Sequence, residues 1–364
     1  MNKKHVLIIF GGKSGEHEVS VRSARSIEEN IDRDRFTTHV LGVTQDGRWN
    51  YGETIAEITD EKRVLQPSMQ ILLPSENEGA TFSIITNTGL EKLSFDVIFP
   101  IIHGTNGEDG TLQGVLELSN LPYVGSNVLG SAIAMDKVIQ KMICRYEGIP
   151  QTKFVWFRKE EWGKNPTTCI KEITQELTFP IFVKPANLGS SVGISKVKQA
   201  AELHHAITTA FLYDSKIIIE QGVEHIKEIE VAVLGNSQPE ASVCGAIIPR
   251  SEFYDYETKY MTDDIEVEIP AHIPADVAEK IRKAAIQTFT CLNCSGMSRV
   301  DFFYQTETKQ YFLNEINTLP GFTSISMYPK LWQATGLSYT DLTSRLLELA
   351  IEKWRDKQKL KYTY

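Results

Sequence analysis

The stretch that most constrains how this 364-residue chain folds is Arg299-Val300-Asp301-Phe302-Phe303-Tyr304, then a polar turn, then Tyr311-Phe312-Leu313-Asn314-Glu315-Ile316-Asn317. Both halves read as β-strands. Side chains alternate along a strand, so Arg299 and Asp301 share one face of the first, and Glu315 and Asn317 share one face of the second. Folding the pair about residues 305–310 sets Asp301 roughly across from Glu315. Like charges in that position destabilise a sheet unless something offsets them. A divalent cation does so, and Asp301, Glu315 and Asn317 supply the hard oxygen donors that Mg²⁺ prefers. Mg²⁺ held by one or two carboxylates completes its shell with water and nucleotide phosphates. The alternative is a solvated outer face with a surface charge pair.

The length accommodates two or three domains, each large enough to bury a core. The net charge is −9 with no run of five or more like charges, which argues against a nucleic-acid surface and a polybasic membrane patch and points to a small-molecule substrate. The apolar run at residues 6–10 is too short for a signal peptide or a spanning helix, so a cytoplasmic protein is expected. Five cysteines, an odd number, fit a reducing compartment better than a disulfide framework. Cys291-Leu292-Asn293-Cys294 matches CxxC but has no second CxxC, and with no thiol partner expected nearby it is read as structural.

Along the chain, a strand at 6–10, a Gly11-Gly12 turn and a helix from about 20 to 31 make a β-loop-α unit. Apolar runs at 40–43 and 97–102, alternating with a helical stretch at 112–119, predict an open parallel sheet with helices on its faces. Residues 45–92 are polar and read as an insertion of turns and a small hairpin. A helix from 136 carries Lys137, Lys141 and Arg145 and stops at Gly148-Ile149-Pro150. Strands at 182–184, 194–197 and 216–220 and a helix at 199–211 predict a small α+β unit. A third unit has strands at 229–234 and 243–248, a helix at 275–293, the opening hairpin and a closing helix at 339–355. The expected partition is 1–135, 136–220 and 221–364.

Several further groups bear on chemistry. Gly189-Ser190-Ser191-Val192-Gly193 lies between two strands with Lys184 ending the first. It lacks the P-loop spacing, yet glycines, serines and a lysine there suit phosphate, against the alternative of a flexible hairpin. Glu220 closes one strand and Glu228 begins the next, at a hinge where a nucleotide's adenine and ribose find acceptors; surface charge is the bland alternative. Residues 253–260, with four aromatics and Lys259, suit a lid that excludes water, or a loop stapled to the core. Glu16, His17 and His103 follow strands of the first sheet at their carboxyl ends, where open α/β sheets bind ligands. The GxGxxG fingerprint is absent, and Ser20 is read as a helix cap in the bland case.

Together these residues resemble the D-alanine:D-alanine ligases of the ATP-grasp superfamily, specifically their longer branch, over nearly the whole chain. The resemblance rests on Gly11-Gly12-Lys13-Ser14-Gly15-Glu16-His17-Glu18-Val19-Ser20, His103-Gly104 with Gly107-Glu108-Asp109-Gly110, and Val183-Lys184-Pro185 with the Gly189–Gly193 turn. It continues through Lys259-Tyr260, Arg299-Val300-Asp301, and Asn314-Glu315-Ile316-Asn317-Thr318 with Pro320-Gly321. It implies an N-terminal α/β domain followed by a two-part ATP-grasp fold, a homodimer, and ligation of two D-alanines through an acyl phosphate for peptidoglycan synthesis. By the same resemblance Lys137, Lys184 and Lys259 contact ATP phosphates, Ser191 and its neighbours cover them, and Glu220 and Glu228 hold adenine and ribose. Asp301, Glu315 and Asn317 hold two Mg²⁺ ions, for which Mn²⁺ substitutes. Arg299 and the Gly321 N–H stabilise the tetrahedral oxyanion. Glu16 pairs with the ammonium of the first D-alanine, Ser326 binds the second carboxylate, and His103 lies close by. Glu16, Ser190 and Tyr260 link by hydrogen bonds to hold the lid shut. Tyr260 favours D-alanine over D-lactate or D-serine as acceptor. A ligase with another acceptor and a non-catalytic nucleotide-binding protein are the competing expectations.

Overall fold

The computed structural model describes residues 3–59, 71–72, 81–86, 89–248 and 266–361. The expected lid at 253–260, with Lys259 and Tyr260, lies outside them.

The first strand, Lys4–Gly11, pairs in parallel with Phe36–Val43 on one side and Val97–Pro100 on the other. Its apolar run is continuous because both faces are covered. Val6, Ile8 and Phe10 pack with Ala24 and Ile27 of the helix His17–Asn30 and Leu342 and Leu346 of the helix Tyr339–Gln358; Leu7 and Ile9 pack with Leu112 and Leu116 of Thr111–Leu118. The expected parallel sheet is present, with an antiparallel edge, Trp49–Gly52, drawn from the 45–92 stretch. The expected small hairpin is there too, as Thr81–Thr86 paired with Gly89–Ser94. One expectation fails. The helix begins at His17, so Ser20 is not its cap: Ser20 Oγ donates to the Ile101 carbonyl at 2.5 Å and accepts from the Gly11 N–H at 2.7 Å, tying the first loop to the end of the neighbouring strand.

A second sheet, wholly antiparallel, runs Ser195–Val197, Ile181–Pro185, Lys216–Gln221, Phe154–Arg158. Its edge strand Phe154–Arg158 and the helix Pro166–Glu176 went unread in the sequence. The strand has no alternation to betray it, whereas the helix carries readable signals, Asn165 capping the Thr168 N–H at 3.1 Å and a proline in the first turn.

The third sheet runs Glu266–Glu268, Glu240–Ile248, Ile226–Gly235, Gly296–Gln305, Gln310–Asn317. In its last hairpin Gln305 faces Gln310 and Phe302 faces Leu313, but Asp301 faces Glu315 and Arg299 faces Asn317, because the register shifts by one residue at Asn314. This bulge brings Ile316 into the core opposite Val300, where Leu313 already faces Phe302, and turns Glu315 and Asn317 onto the face of Asp301. In an unbroken ladder Asn314 would oppose Asp301.

The first and third sheets share one core, at whose centre Phe322 is fully buried. Its ring meets Phe99 edge-on at 5.7 Å, Tyr328 at 5.3 Å and Tyr339 at 5.9 Å. Each such pair adds about 0.5–1.5 kcal/mol beyond area burial, which anchors the loop after Asn317 against the carboxyl ends of the first sheet's strands. The CxxC reading needs one correction. A thiol partner does stand nearby, since Cys144, brought in by the helix Lys137–Tyr146, hydrogen-bonds with Cys291, and that bond, with burial, raises the Cys144 thiol well above its usual range. All five cysteines are free thiols.

Candidate active site

One end of the site is acidic. Ser14 Oγ donates to the His103 carbonyl at 2.7 Å and accepts from the Glu16 N–H at 3.2 Å, which fixes the loop and turns the buried Glu16 carboxylate inward. Glu16 accepts a hydrogen bond from the Ser190 hydroxyl. Glu108 Oε2 accepts from the Gly104 N–H at 3.0 Å. Gly104 has φ +74°, and a Cβ there would stand 2.6 Å from Glu16 Oε2, so the approach of chain to carboxylate requires glycine. Burial first, and then the Glu16 charge, push the Glu108 carboxyl well above the usual carboxylate range. Two acidic groups held this close invite a cation between them.

His103 closes this end from below. Its Nδ1 lies 3.0 Å from the Leu319 carbonyl and its Nε2 lies 3.0 Å from Ser23 Oγ, which in turn accepts from the Phe322 N–H at 3.1 Å. A consistent assignment has Nδ1–H donating to Leu319 and Nε2 accepting from Ser23. Burial, reinforced by the Arg299 charge, lowers the His103 pKa to about 4, so the ring is neutral at pH 7. An unfolded histidine titrates near 6.5, so between pH 6.5 and 4 the unfolded chain binds the extra proton and stability falls as pH falls. This linkage removes about 2 kcal/mol by pH 5. Denaturant midpoints at pH 7.5 and 5 should therefore converge more in His103→Gln than in the parent chain; equal slopes would remove this linkage.

The other end is a face of the third sheet. Across three strands Glu228 and Glu230, then Arg299 and Asp301, then Glu315 and Asn317 point the same way, with Asp301 flanked by Glu230 on one side and Glu315 on the other. The Arg299 guanidinium forks onto Asp301, Nε to Oδ1 at 2.8 Å and Nη2 to Oδ2 at 2.7 Å, and its Nε stands 3.1 Å from Glu230 Oε2. The Asn317 amide donates to Asp301 Oδ2 at 3.1 Å. Lys137 Nζ pairs with Glu315 Oε2 at 3.2 Å and donates to the Leu188 carbonyl at 2.9 Å.

Beside this face lies a buried charge cluster. Glu220 sits between Lys141 at 3.2 Å and Lys184 at 3.5 Å, and Lys184 reaches Asn314 Oδ1 at 3.5 Å. Burial alone would raise the Glu220 carboxyl; the two ammoniums outweigh it and hold it below its usual value. Burial lowers the Lys141 pKa against the pull of Glu220.

A cavity of about 400 Å³ joins the two ends. Glu16, His103 and Ser190 line it at one end, Glu228, Arg299, Asp301, Glu315 and Asn317 along the sheet, and Gly321 and Ser326 beyond. Ser326 Oγ there accepts from the Thr323 N–H at 3.0 Å. Ser190 and Ser191 carry φ of 53° and 59°, followed by Gly193 at 72°, so the turn holds successive left-handed residues over the cavity's rim. Lys137, Lys184 and Glu220 do not line it; they adjoin it through Glu315 and Asn314. Lys259 and Tyr260 lie outside the described residues. The residue patterns assign no role to Glu108, Glu230, Lys141 or Ser23. Glu230 follows Glu228 by two and Lys141 follows Lys137 by four, spacings that put each beside its partner. Only the tertiary fold brings Ser23 to His103.

Among the described residues no three His, Cys, Asp or Glu side chains cluster as metal ligands. The set here is two opposed carboxylates and an amide, a donor chemistry that fits a hard divalent ion completed by phosphate and water.

The second and third sheets, both wholly antiparallel and meeting along a phosphate-suited turn and a carboxylate hairpin, define an ATP-grasp ligase. The model of the D-ala D-ala ligase N-terminus matches residues 5–126 and that of the D-ala D-ala ligase C-terminus matches residues 143–348. A D-alanine--D-alanine ligase of Caldicellulosiruptor bescii is 45% identical over 363 residues, covering 100% of this chain and 99% of that one. Among solved structures, the D-alanine-D-alanine ligase from Coxiella burnetii superposes with a TM-score of 0.86 at 34% identity, over 99% of this chain and 97% of that one. VanG D-Ala:D-Ser ligase from Enterococcus faecalis superposes with a TM-score of 0.84 at 36% identity, over 96% and 100%. The chain belongs to the D-alanine–D-alanine ligase family and is an enzyme.

Proposed function

We propose that this chain joins two D-alanines to D-alanyl-D-alanine, with ATP becoming ADP and phosphate, as a cytoplasmic step in peptidoglycan precursor synthesis. The observation that carries this reading is a single cavity that joins the acidic Glu16–Glu108 end to the Asp301–Glu315–Asn317 face, with Arg299 lining it.

Glu16 and Glu108 attract and orient the ammonium of the first D-alanine, and Ser190 steadies Glu16. The amino acid's carboxylate is then aimed at the sheet face, where it attacks the γ-phosphate of ATP to give an acyl phosphate and ADP. Lys137 and Lys184, drawn from Glu315 and Glu220, meet the phosphates, Ser191 covers them, and Glu228 and Glu220 serve the ribose and adenine. Asp301, Glu315 and Asn317 would hold Mg²⁺, two ions with Mn²⁺ able to substitute, which supplies neutralisation of charge on the transferring phosphoryl group. The amine of a second D-alanine, its carboxylate near Ser326, attacks the acyl carbon. Arg299 and the Gly321 N–H stabilise the resulting oxyanion, and collapse expels phosphate. Lys259 and Tyr260 complete the lid in this scheme.

The three units 1–135, 136–220 and 221–364 are proposed as domains, supported by each holding a sheet of its own. A homodimer is proposed as well; exposed Leu118, Leu129, Met142 and Tyr146 on successive helices offer it apolar surface. Among the described residues no helix is long and apolar enough to cross a membrane.

A second acceptor is the specific rival, since the superposing Enterococcus structure is a D-Ala:D-Ser ligase. The deciding experiment measures ADP release with ATP, Mg²⁺ and D-alanine beside L-alanine, D-alanine plus D-serine, and D-alanine plus D-lactate, with products weighed by mass spectrometry. D-Alanyl-D-alanine from D-alanine alone, and nothing from L-alanine, is expected. A mixed product only would move the assignment to the other acceptor.

A further inference from the structure

We infer that Glu230 is a positioning residue, the second anion that takes the Arg299 guanidinium when a divalent cation claims Asp301. The inference rests on the metal and oxyanion roles proposed above.

Asp301 has competing claims on it. Both its oxygens lie in the Arg299 fork, at 2.8 and 2.7 Å, and Oδ2 also accepts from Asn317. A carboxylate engaged bidentately by a guanidinium has fewer lone pairs to give a metal. Arg299 is needed in the same cavity for a different purpose, so the guanidinium requires a second anion that a metal does not take. Glu230 is placed for that. It stands directly across from Asp301 on the neighbouring strand, its side chain is only 6% exposed, and its Oε2 lies 3.1 Å from Arg299 Nε. Glu315, on Asp301's other flank, pairs with Lys137 at 3.2 Å. The row Glu230, Asp301, Glu315 is thus three carboxylates side by side, with the organic cation at one end. A buried carboxylate keeps its charge only when paired, so Glu230 and Arg299 hold each other in place.

The test uses Mn²⁺ binding to the full chain in the presence of ADP, followed by the loss of the free-ion paramagnetic resonance signal. It compares the parent chain with Glu230→Gln, Arg299→Ala and the double variant, beside steady-state ligation with D-alanine. Without the Glu230 charge, Arg299 stays forked on Asp301, and Mn²⁺ binding should weaken by about fivefold or more. In the Arg299→Ala background the same substitution should change it by less than about twofold. In Glu230→Gln, kcat should fall by about 30-fold with the KM for D-alanine changed by less than about threefold, since the misplaced group acts in the transition state. Glu230→Asp, which restores the charge, should recover part of both, and a melting temperature of Glu230→Gln equal to the parent's guards against a folding defect in that variant. Equal Mn²⁺ weakening in both backgrounds would overturn the inference, because Glu230 would then act on the metal without Arg299; unchanged binding in Glu230→Gln would also overturn it. If the coupled Mn²⁺ pattern holds while the parent chain releases no ADP with D-alanine, the positioning role stands and the ligase reading fails.

Discussion

Glu315→Gln should abolish ligation for practical purposes, lowering kcat on the order of 10³-fold, the scale expected when an electrostatic stabiliser of phosphoryl transfer is removed. The amide has the same size, so the hairpin keeps its register and the core residues Leu313 and Ile316 keep their places. What changes is charge. One of the two carboxylates that make this face attractive to a divalent ion becomes neutral, and Lys137, now 3.2 Å from Glu315 Oε2, loses its anion. ADP release dependent on D-alanine, measured over a range of Mg²⁺, is the readout; high Mg²⁺ should restore a fraction of the rate because the defect is partly one of affinity. Turnover within about tenfold of the parent chain at ordinary Mg²⁺ would remove Glu315 from the metal-holding set.

Arg299→Ala should lower kcat by about 10²- to 10³-fold while the KM for ATP changes by less than about threefold. The guanidinium lines the cavity with both the acidic end and the carboxylate face within it. An oxyanion forms only after the second amine attacks, so a cation acting on it strengthens its hold in the transition state and contributes to kcat more than to ground-state binding. The variant also leaves Glu230 and Asp301 directly opposite each other without the cation between them, which makes some loss of thermal stability an expected companion. A rise in the KM for ATP with kcat preserved would instead make Arg299 a nucleotide-binding residue.

Much of the architecture was legible because local patterns were strong. The apolar run of the first strand, buried on both faces, the 3.6-residue pattern of the helix Tyr339–Gln358 and the hairpin about residues 305–310 could be read one window at a time. The strand Phe154–Arg158 could not, since it has neither alternation nor a turn residue to mark it. Among candidate site residues, the carboxylates, the lysines and the serine turn announced themselves by type and spacing. Ser23 did not, because it acts on His103, a group distant in the chain.

The hairpin shows where the division lies. Composition and alternation determined that two strands meet here, that Arg299 and Asp301 share a face, and that Glu315 and Asn317 share another. Strict alternation counted from the turn would set Asn314 against Asp301 and leave Glu315 on the core side. One extra residue at Asn314 reverses that, placing Ile316 in the core opposite Val300 and Glu315 beside Asp301. A bulge carries no pattern of its own; it forms because Leu313 and Ile316 must both be buried while two intervening residues are not, and that demand comes from the packed sheet. Residue chemistry was therefore written in the chain, and the tertiary structure alone decided which of those groups face one another.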